Sequence, residues 1–260
     1  MILDEILAHK RDEVLQRRRD CPLEQLTPSA SSPRGFARVL RQPGVGVIAE
    51  FKRRSPSGGE IRPDARPADI AQTYLEGGAV ALSVLTDHRF FGSTDQDLRV
   101  VRAAVDLPVL RKDFVVDAYQ IHEARAIGAD AVLLIVRALT DPELATFLAL
   151  AQSLGLDALV ETHSEVEVRR ALAAGATLIG VNNRDLDTLV TDVSLAPRLR
   201  NLVPSDCVFV AESGVSSPEQ VASLHDIGVD AVLIGEAVMR APDPARRLKE
   251  LVRAGTGVRA

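Results

Sequence analysis

Five stretches of the chain close a helix-like segment with a glycine and start an apolar run a few residues later: EGGAVALSVLT, AIGADAVLLIV, SLGLDALVET, AAGATLIGVNN and DIGVDAVLIGE. Glycine after a helical segment is the left-handed cap that ends it, and a short run of Val, Ile and Leu behind that cap is a buried strand. Adding VGVIAEFK, LPVLRKDF and DCVFVAES gives eight strands, at about 45–52, 79–86, 108–114, 131–136, 157–162, 177–183, 207–213 and 231–236. Amphipathic stretches such as PADIAQTYLEGG, DAYQIHEARAIG and SPEQVASLHDIG lie between them. Strands that are apolar throughout need both faces covered, so the alternation predicts an α/β fold with a parallel sheet under helices, and eight such units suit a single (β/α)8 TIM barrel. An open doubly wound sheet uses the same alternation. Neither a dinucleotide glycine fingerprint nor a Walker loop stands where that alternative would place one.

The length of 260 residues fits one barrel, since such barrels run to about 250 residues. Residues 1–44 precede the first strand and lie outside the repeat, which divides the chain into an N-terminal helical extension at 1–44 and a (β/α)8 barrel at 45–260, packed as one structural domain. In the extension, Ile2, Leu3, Ile6, Leu7, Val14 and Leu15 mark an amphipathic helix, with Lys10, Arg11 and Arg17 to Arg19 expected on a solvated basic face. Interspersed acids argue against that face lying on a membrane.

Acidic residues outnumber basic ones by 36 to 31, for a net charge of −5, which leaves no basic field for nucleic acid or an anionic membrane. Trp is absent and aromatics make up 3%, too few for base-stacking platforms. Cys21 and Cys207 stand far apart with no second ligand at zinc spacing, and the pattern suits free thiols in a reducing compartment. Asp4 and Glu5 fall where a secretory signal would be basic, and no apolar run approaches a membrane span of about 18 residues. A soluble cytoplasmic protein is expected. His9, His88, His122, His163 and His225 show no ligand spacing, so no metal site is expected, and His163 reads as a solvated loop residue past the fifth strand.

Functional residues of such a barrel sit at the C-terminal ends of its strands. There the sequence places Glu50 and Lys52 on the first strand, Lys112 on the third, Glu161 on the fifth, Asn182 and Arg184 on the sixth, and Glu212 with Ser213 on the seventh. Residues two apart share a face, so Glu50/Lys52 and Asn182/Arg184 would each turn to the mouth together. Three acids and two lysines converging in a partly desolvated pocket would hold one another charged and shift one another's pKa values, as acid–base catalysis needs. One such pair alone would read as an ion pair tying strand ends, but recurrence at the same end of several strands favours a site. For an anion, Ser213 and Gly214 follow the seventh strand and Gly235 the eighth, where glycine lets backbone amides approach a phosphate. The loop after the first strand adds Arg53, Arg54, Ser55 and Ser57, and Gly58-Gly59 could make it a lid.

The motifs VIAEFKRRSPSGG, ALSVLTDHRFFGS, PVLRKDFVVDAYQI, ALVETHSE, IGVNNRDL, VAESGV and AVLIGEAVM, in that order from Val47 to Met239, resemble the indole-3-glycerol phosphate synthases of tryptophan biosynthesis. With no second barrel after Ala260, the resemblance is to the monofunctional form. It implies a (β/α)8 barrel with an N-terminal extension and ring closure of 1-(2-carboxyphenylamino)-1-deoxyribulose 5-phosphate with loss of carbon dioxide and water, without a cofactor. On that pattern Lys112 is the general acid at the substrate carbonyl and Glu161 its partner acid or base. Lys52, paired with Glu50, holds the substrate carboxylate and delivers the proton that expels hydroxide. Asn182 and Glu212 hold hydroxyls and orient the lysines, Arg184 neutralises negative charge, and Ser55, Ser213, Gly214 and Gly235 receive the phosphate. Phe91 and Phe114, with Leu85 and Leu133 as secondary candidates, form the slot for the aromatic ring, or else belong to the ordinary core.

Three positions depart from the family pattern. Glu236 stands where a small or hydroxylated residue would suit a phosphate, so its side chain is expected to point away and its backbone alone to contribute. Ala118 replaces a common proline at a helix start, and Arg137 either reaches the mouth or forms an outward ion pair. Two other readings share parts of the pattern: a sugar-phosphate isomerase on a related barrel, and a noncatalytic ligand-binding barrel. A monomer is expected, with a homodimer compatible with the same sequence.

Overall fold

The structure, a computed structural model, describes residues 2–256; Met1 of the expected extension and residues 257–260 of the expected barrel lie outside the described residues. Each apolar run forms a strand: β1 (Gly46–Phe51), β2 (Ala81–Leu85), β3 (Val109–Lys112), β4 (Ala131–Ile135), β5 (Asp157–Thr162), β6 (Leu178–Asn182), β7 (Val208–Glu212) and β8 (Ala231–Ile234). They close into an eight-stranded parallel barrel in chain order, sealed where β1 pairs β8 from Gly46↔Ala231 to Ala49↔Ile234. The open doubly wound alternative is thereby excluded.

The helices between the strands, among them α3 (Pro67–Glu76), α4 (His88–Phe91), α5 (Asp95–Ala104) and α9 (Leu195–Leu199), start and stop where local chemistry demands. Thr140 and Glu143 form a reciprocal cap on α7 (Asp141–Ser153), as Ser217 and Gln220 do on α10 (Pro218–Asp226). At the other end, Gly128 takes a left-handed φ of 88° to end α6 (Tyr119–Ile127). Ala118, at the N-cap of α6, is already helical and makes no side-chain cap, so replacing a proline there leaves the start of the helix intact.

Alternation along each strand splits the core in two. Val47, Ala49, Val132, Val160, Ile179 and Phe209 face the surrounding helices, whereas Ile48, Leu110, Leu133, Leu159, Leu178, Val210 and Leu233 fill the barrel interior. At the N-terminal end of the barrel, Phe36 and Leu40 of α2 (Phe36–Leu40) join the interior cluster, and Asp157 at the start of β5 accepts the Ala37 amide at 2.8 Å.

The extension corrects one expectation. In α1 (Ile2–Asp20), Leu3, Ile6, Leu7 and Val14 are buried but Leu15 is 53% exposed, and Lys10 is completely buried instead of lying on a solvated basic face. Lys10 stands four residues from both Ile6 and Val14, in the middle of the apolar stripe. Its ammonium is neutralised there by Asp87 at 2.9 Å, Asp113 at 3.0 Å and Glu13 at 3.0 Å. Among the described residues, no helix is long and apolar enough to cross a membrane.

Candidate active site

The interior register that places Ile48, Leu110, Leu159 and Val210 inside the barrel also turns the residues two further on, Glu50, Lys112, Glu161 and Glu212, toward its C-terminal mouth. Arg111, one residue out of phase, faces the helices instead, where Glu123 at 2.7 Å and Asp95 at 3.0 Å hold it. At the mouth lies a cavity of about 470 Å³. All fourteen residues singled out as candidates line it: Glu50, Lys52, Ser55, Phe91, Lys112, Phe114, Glu161, Asn182, Arg184, Glu212, Ser213, Gly214, Gly235 and Glu236.

At the floor, Lys112 Nζ stands 3.1 Å from Glu161 Oε2 and 3.6 Å from Glu212 Oε2. Burial alone would lower the lysine's pKa, but the surrounding carboxylates, Glu161 foremost, outweigh it and raise the pKa, so the group stays ammonium. Glu161 is buried too, yet Lys112 and His163 hold its pKa below the ordinary range, and Asn182 Nδ2 donates to its Oε1 at 3.2 Å. Glu212 goes the other way. Burial and the neighbouring Glu161 charge push it up to about 8, and among the described residues neither of its oxygens has a hydrogen-bond partner. The two carboxyls of one pocket are therefore pushed in opposite directions, Glu161 down and Glu212 up.

Glu50 and Lys52 pair at 2.8 Å on the other side of the cavity. Burial raises the Glu50 pKa, but Lys52 and Lys112 bring it below the ordinary value. Two glycines make room for these carboxylates: a Cβ at Gly235 would lie 2.6 Å from Glu50 Oε1, and one at Gly180 would overlap Glu212 Oε1.

Beyond β7, Ser213 and Gly214 both adopt left-handed φ values, 63° and 78°. Such a conformation is rare for serine, and successive residues of this kind turn backbone amides into an anion-binding concavity. Gly235 precedes the short helix α11 (Glu236–Met239). Across the cavity, the loop after β1 folds as a small hairpin, Arg54–Ser55 against Gly59–Glu60. Ser55 Oγ accepts the Gly58 amide at 2.9 Å, and Arg184 donates to Ser57 Oγ, joining the hairpin to the loop after β6. Arg53 and Arg54 do not face an anion site. Arg53 is held by both oxygens of Asp97 at 2.8 Å, and Arg54 donates to the His88 and Arg89 carbonyls.

Glu236 departs from expectation. Its side chain does not point away; Oε1 accepts from Arg240 Nε at 2.9 Å, and both carboxylate oxygens lie about 3.0 Å from where a Cβ on Gly58 would stand. Arg240, which also donates to the Gly58 and Glu60 carbonyls, lines the same cavity and was not singled out from the sequence. Its position four residues after Glu236 on a helix was the available signal. The opposite wall is apolar. The Phe91 and Phe114 rings lie 6.1 Å apart at 32°, and Leu85, Leu133 and Ile135 surround them. Ile2, Leu3 and Ile6 of α1 complete this wall, a contribution the sequence reading missed.

His163 also departs from expectation: it is buried, not solvated, and lies between Glu161 and Glu167. Arg137 forms an ion-paired cluster with Glu167, Asp185 and Asp187 and does not line the cavity. Among the described residues, no group of His, Cys, Asp and Glu has the arrangement of a metal site.

Residues 3–251 match a family model described as indole-3-glycerol phosphate synthase. The chain is 50% identical over 254 residues to indole-3-glycerol phosphate synthase 2 of Streptomyces coelicolor, covering 96% of this chain and 98% of that protein. It is 45% identical over 267 residues to indole-3-glycerol phosphate synthase of Lachnoclostridium phytofermentans and 47% identical over 258 residues to that of Mycolicibacterium smegmatis, covering 96% and 98% of this chain and 98% and 95% of those proteins. Among solved structures, thiamine phosphate pyrophosphorylase from Pyrococcus furiosus superimposes with a TM-score of 0.63 at 18% identity over 82% of this chain and 96% of that one, a likeness of fold alone.

Proposed function

The chain belongs to the indole-3-glycerol phosphate synthase family, and from that premise we propose how its residues divide the work. The reaction closes the five-membered ring of 1-(2-carboxyphenylamino)-1-deoxyribulose 5-phosphate and releases carbon dioxide and water. The substrate's ring carbon that carries the carboxylate attacks the carbonyl carbon of the ribulose chain. Loss of carbon dioxide restores the aromatic ring, and departure of the new hydroxyl completes the indole.

Lys112 is the acid that protonates the carbonyl oxygen. Its ammonium, set between Glu161 and Glu212, carries the reading, because a cation held charged in a dry pocket stabilises an oxyanion as it forms. Glu161, kept ionised, takes the proton released in dehydration. Lys52, steadied by Glu50, holds the substrate carboxylate before it leaves and protonates the departing hydroxyl. Protonated Glu212 and Asn182 donate to substrate hydroxyls. The aromatic ring lies against Phe91 and Phe114, and the phosphate sits on the Ser213-Gly214 turn and the Gly235 amides, with Ser55, Arg184 and the Glu236 backbone around it.

The reading also takes the protein as a cytoplasmic monomer that uses no cofactor, with residues 1–44 and 45–260 as extension and barrel of one folding unit. The test is a continuous indole-fluorescence assay with the carboxyphenylamino-deoxyribulose phosphate on metal-stripped protein, beside Lys112→Met. Product from the parent but not from the variant supports the assignment; equal rates would remove Lys112 from the chemistry.

A further inference from the structure

His163 is not used in the mechanism above, yet its side chain is only 2% exposed and both ring nitrogens lack a conventional hydrogen bond. Its Nε2 faces Glu161 Oε1 at 3.5 Å and its Nδ1 faces Glu167 Oε2 at 3.5 Å. A neutral imidazole has one bare nitrogen, and here that lone pair would point at a carboxylate whichever tautomer formed. The ring is thus held edge-on between two carboxylates, either of which can accept from a nitrogen that carries a proton.

The outer carboxylate is fixed. Glu167 stands in the first turn of α8 (Glu165–Ala173), where Ser164 Oγ accepts its amide at 3.2 Å. It accepts the His163 backbone amide at 2.7 Å and Arg137 Nε at 3.2 Å, and Arg137 is in turn paired with Asp185 at 3.3 Å and Asp187 at 3.2 Å. An alternating chain of charges thus runs from the cavity floor to the loop after β6.

We propose that His163, clasped by Glu167, is a positioning residue that keeps Glu161 in its proton-accepting form and aimed at Lys112. The inference rests on the role given to Glu161 above. Around Glu161 stand Lys112 from β3, Glu212 from β7, Asn182 from β6 and, beyond Lys112, Glu50 from β1. When Lys112 engages the substrate carbonyl, His163 still faces the other oxygen of Glu161, at 3.5 Å. Facing Oε1 while Lys112 faces Oε2, it can stabilise the charge without competing for the substrate proton.

The experiment is the pH dependence of kcat and KM for His163→Asn and Glu167→Gln beside the parent, with Glu161→Gln as a separate control. Asparagine keeps a donor near Glu161 and removes the imidazole. The expected result is an acid limb of kcat moved about one pH unit upward in His163→Asn, so that turnover at the acid end falls about tenfold, with KM changed by less than about twofold. Glu167→Gln, which weakens the hold on the His163 ring, moves the limb the same way by a smaller step and decides the matter if His163→Asn does not fold. An acid limb left in place, or a kcat lowered by one factor at every pH, overturns the inference. Parent-like turnover in Glu161→Gln would instead overturn the role of Glu161 itself, a different outcome from loss of activity there with an unmoved limb in the His163 variant.

Discussion

Gly235 at the end of β8 faces Glu50 on β1 so closely that a methyl group on it would lie 2.6 Å from the carboxylate. The backbone of Gly235 has φ −119° and needs no left-handed freedom, so its lack of a side chain serves space alone. Gly235→Ala must therefore push Glu50 off Lys52, 2.8 Å away. We expect kcat to fall by about tenfold or more while the melting temperature changes little, because few buried contacts are lost. Steady-state kinetics beside a thermal melt checks this, and an unchanged kcat would mean that the Glu50–Lys52 geometry does not matter to turnover.

Lys112→Met removes the charge but keeps much of the aliphatic stem. The expected loss in kcat is about 10²–10⁴-fold, the span of a general acid, with KM within a few-fold because the ring slot and phosphate turns are untouched. A rise in KM with kcat intact would make Lys112 a binding residue instead.

Lys10 is buried among Asp87, Asp113 and Glu13, so Lys10→Met leaves acids facing each other without their cation. A buried pair broken in this way loses about 3–5 kcal/mol, to be read by urea denaturation at neutral pH. The sign with pH follows from Asp113, whose pKa is brought down to about 2 because Lys10 and Arg111 outweigh its burial. A depressed carboxylate stabilises the fold above its unfolded pKa of about 4, and that contribution is lost as pH falls toward 2. The gap between parent and variant should narrow through that window; a constant gap would show that the Lys10–Asp113 attraction is not what stabilises α1.

The same residue shows what could be read in advance. The eight strands and the mouth residues were legible because period-two alternation within one strand fixes which side chains reach the interior, so Glu50, Lys112, Glu161 and Glu212 followed from local sequence. Lys10 was misplaced because its partners Asp87 and Asp113 lie far along the chain, and His163 because Glu167, only four residues on, meets it once the first turn of α8 has formed. Ile2, Leu3 and Ile6 were read as apolar, but that they wall the ring slot is a consequence of where α1 docks.

Arg240 holds the hairpin after β1 by the Gly58 and Glu60 carbonyls and holds the Glu236 carboxylate at 2.9 Å. Arg240→Ala frees both, so the hairpin loses its anchor and an uncompensated negative charge faces the phosphate end of the cavity. KM for the phosphorylated substrate should rise about tenfold, with the larger effect at low ionic strength where the repulsion is less screened. A KM that rises equally at all salt concentrations would assign the effect to the hairpin alone.

Glu212 carries the last prediction, because its charge state is the reverse of Glu161's. Desolvation and the adjacent Glu161 push its pKa up to about 8, against about 4.3 in an unfolded chain. Between those values the folded protein binds a proton that the unfolded chain has released, so this group's contribution to stability falls as pH rises through the window and is flat on either side. Glu212→Gln keeps the shape and cannot ionise. Near pH 4 the variant should match the parent, and by about pH 8 it should melt at a higher temperature, the gap having opened steadily between them. Turnover should behave differently: the amide still donates to a hydroxyl, so at neutral pH kcat should fall by less than in Lys112→Met, and the parent's alkaline loss of activity should become shallower in the variant. A stability gap that does not grow with pH would show that Glu212 is already ionised in the folded protein, and Lys112 would then face two carboxylates in place of one.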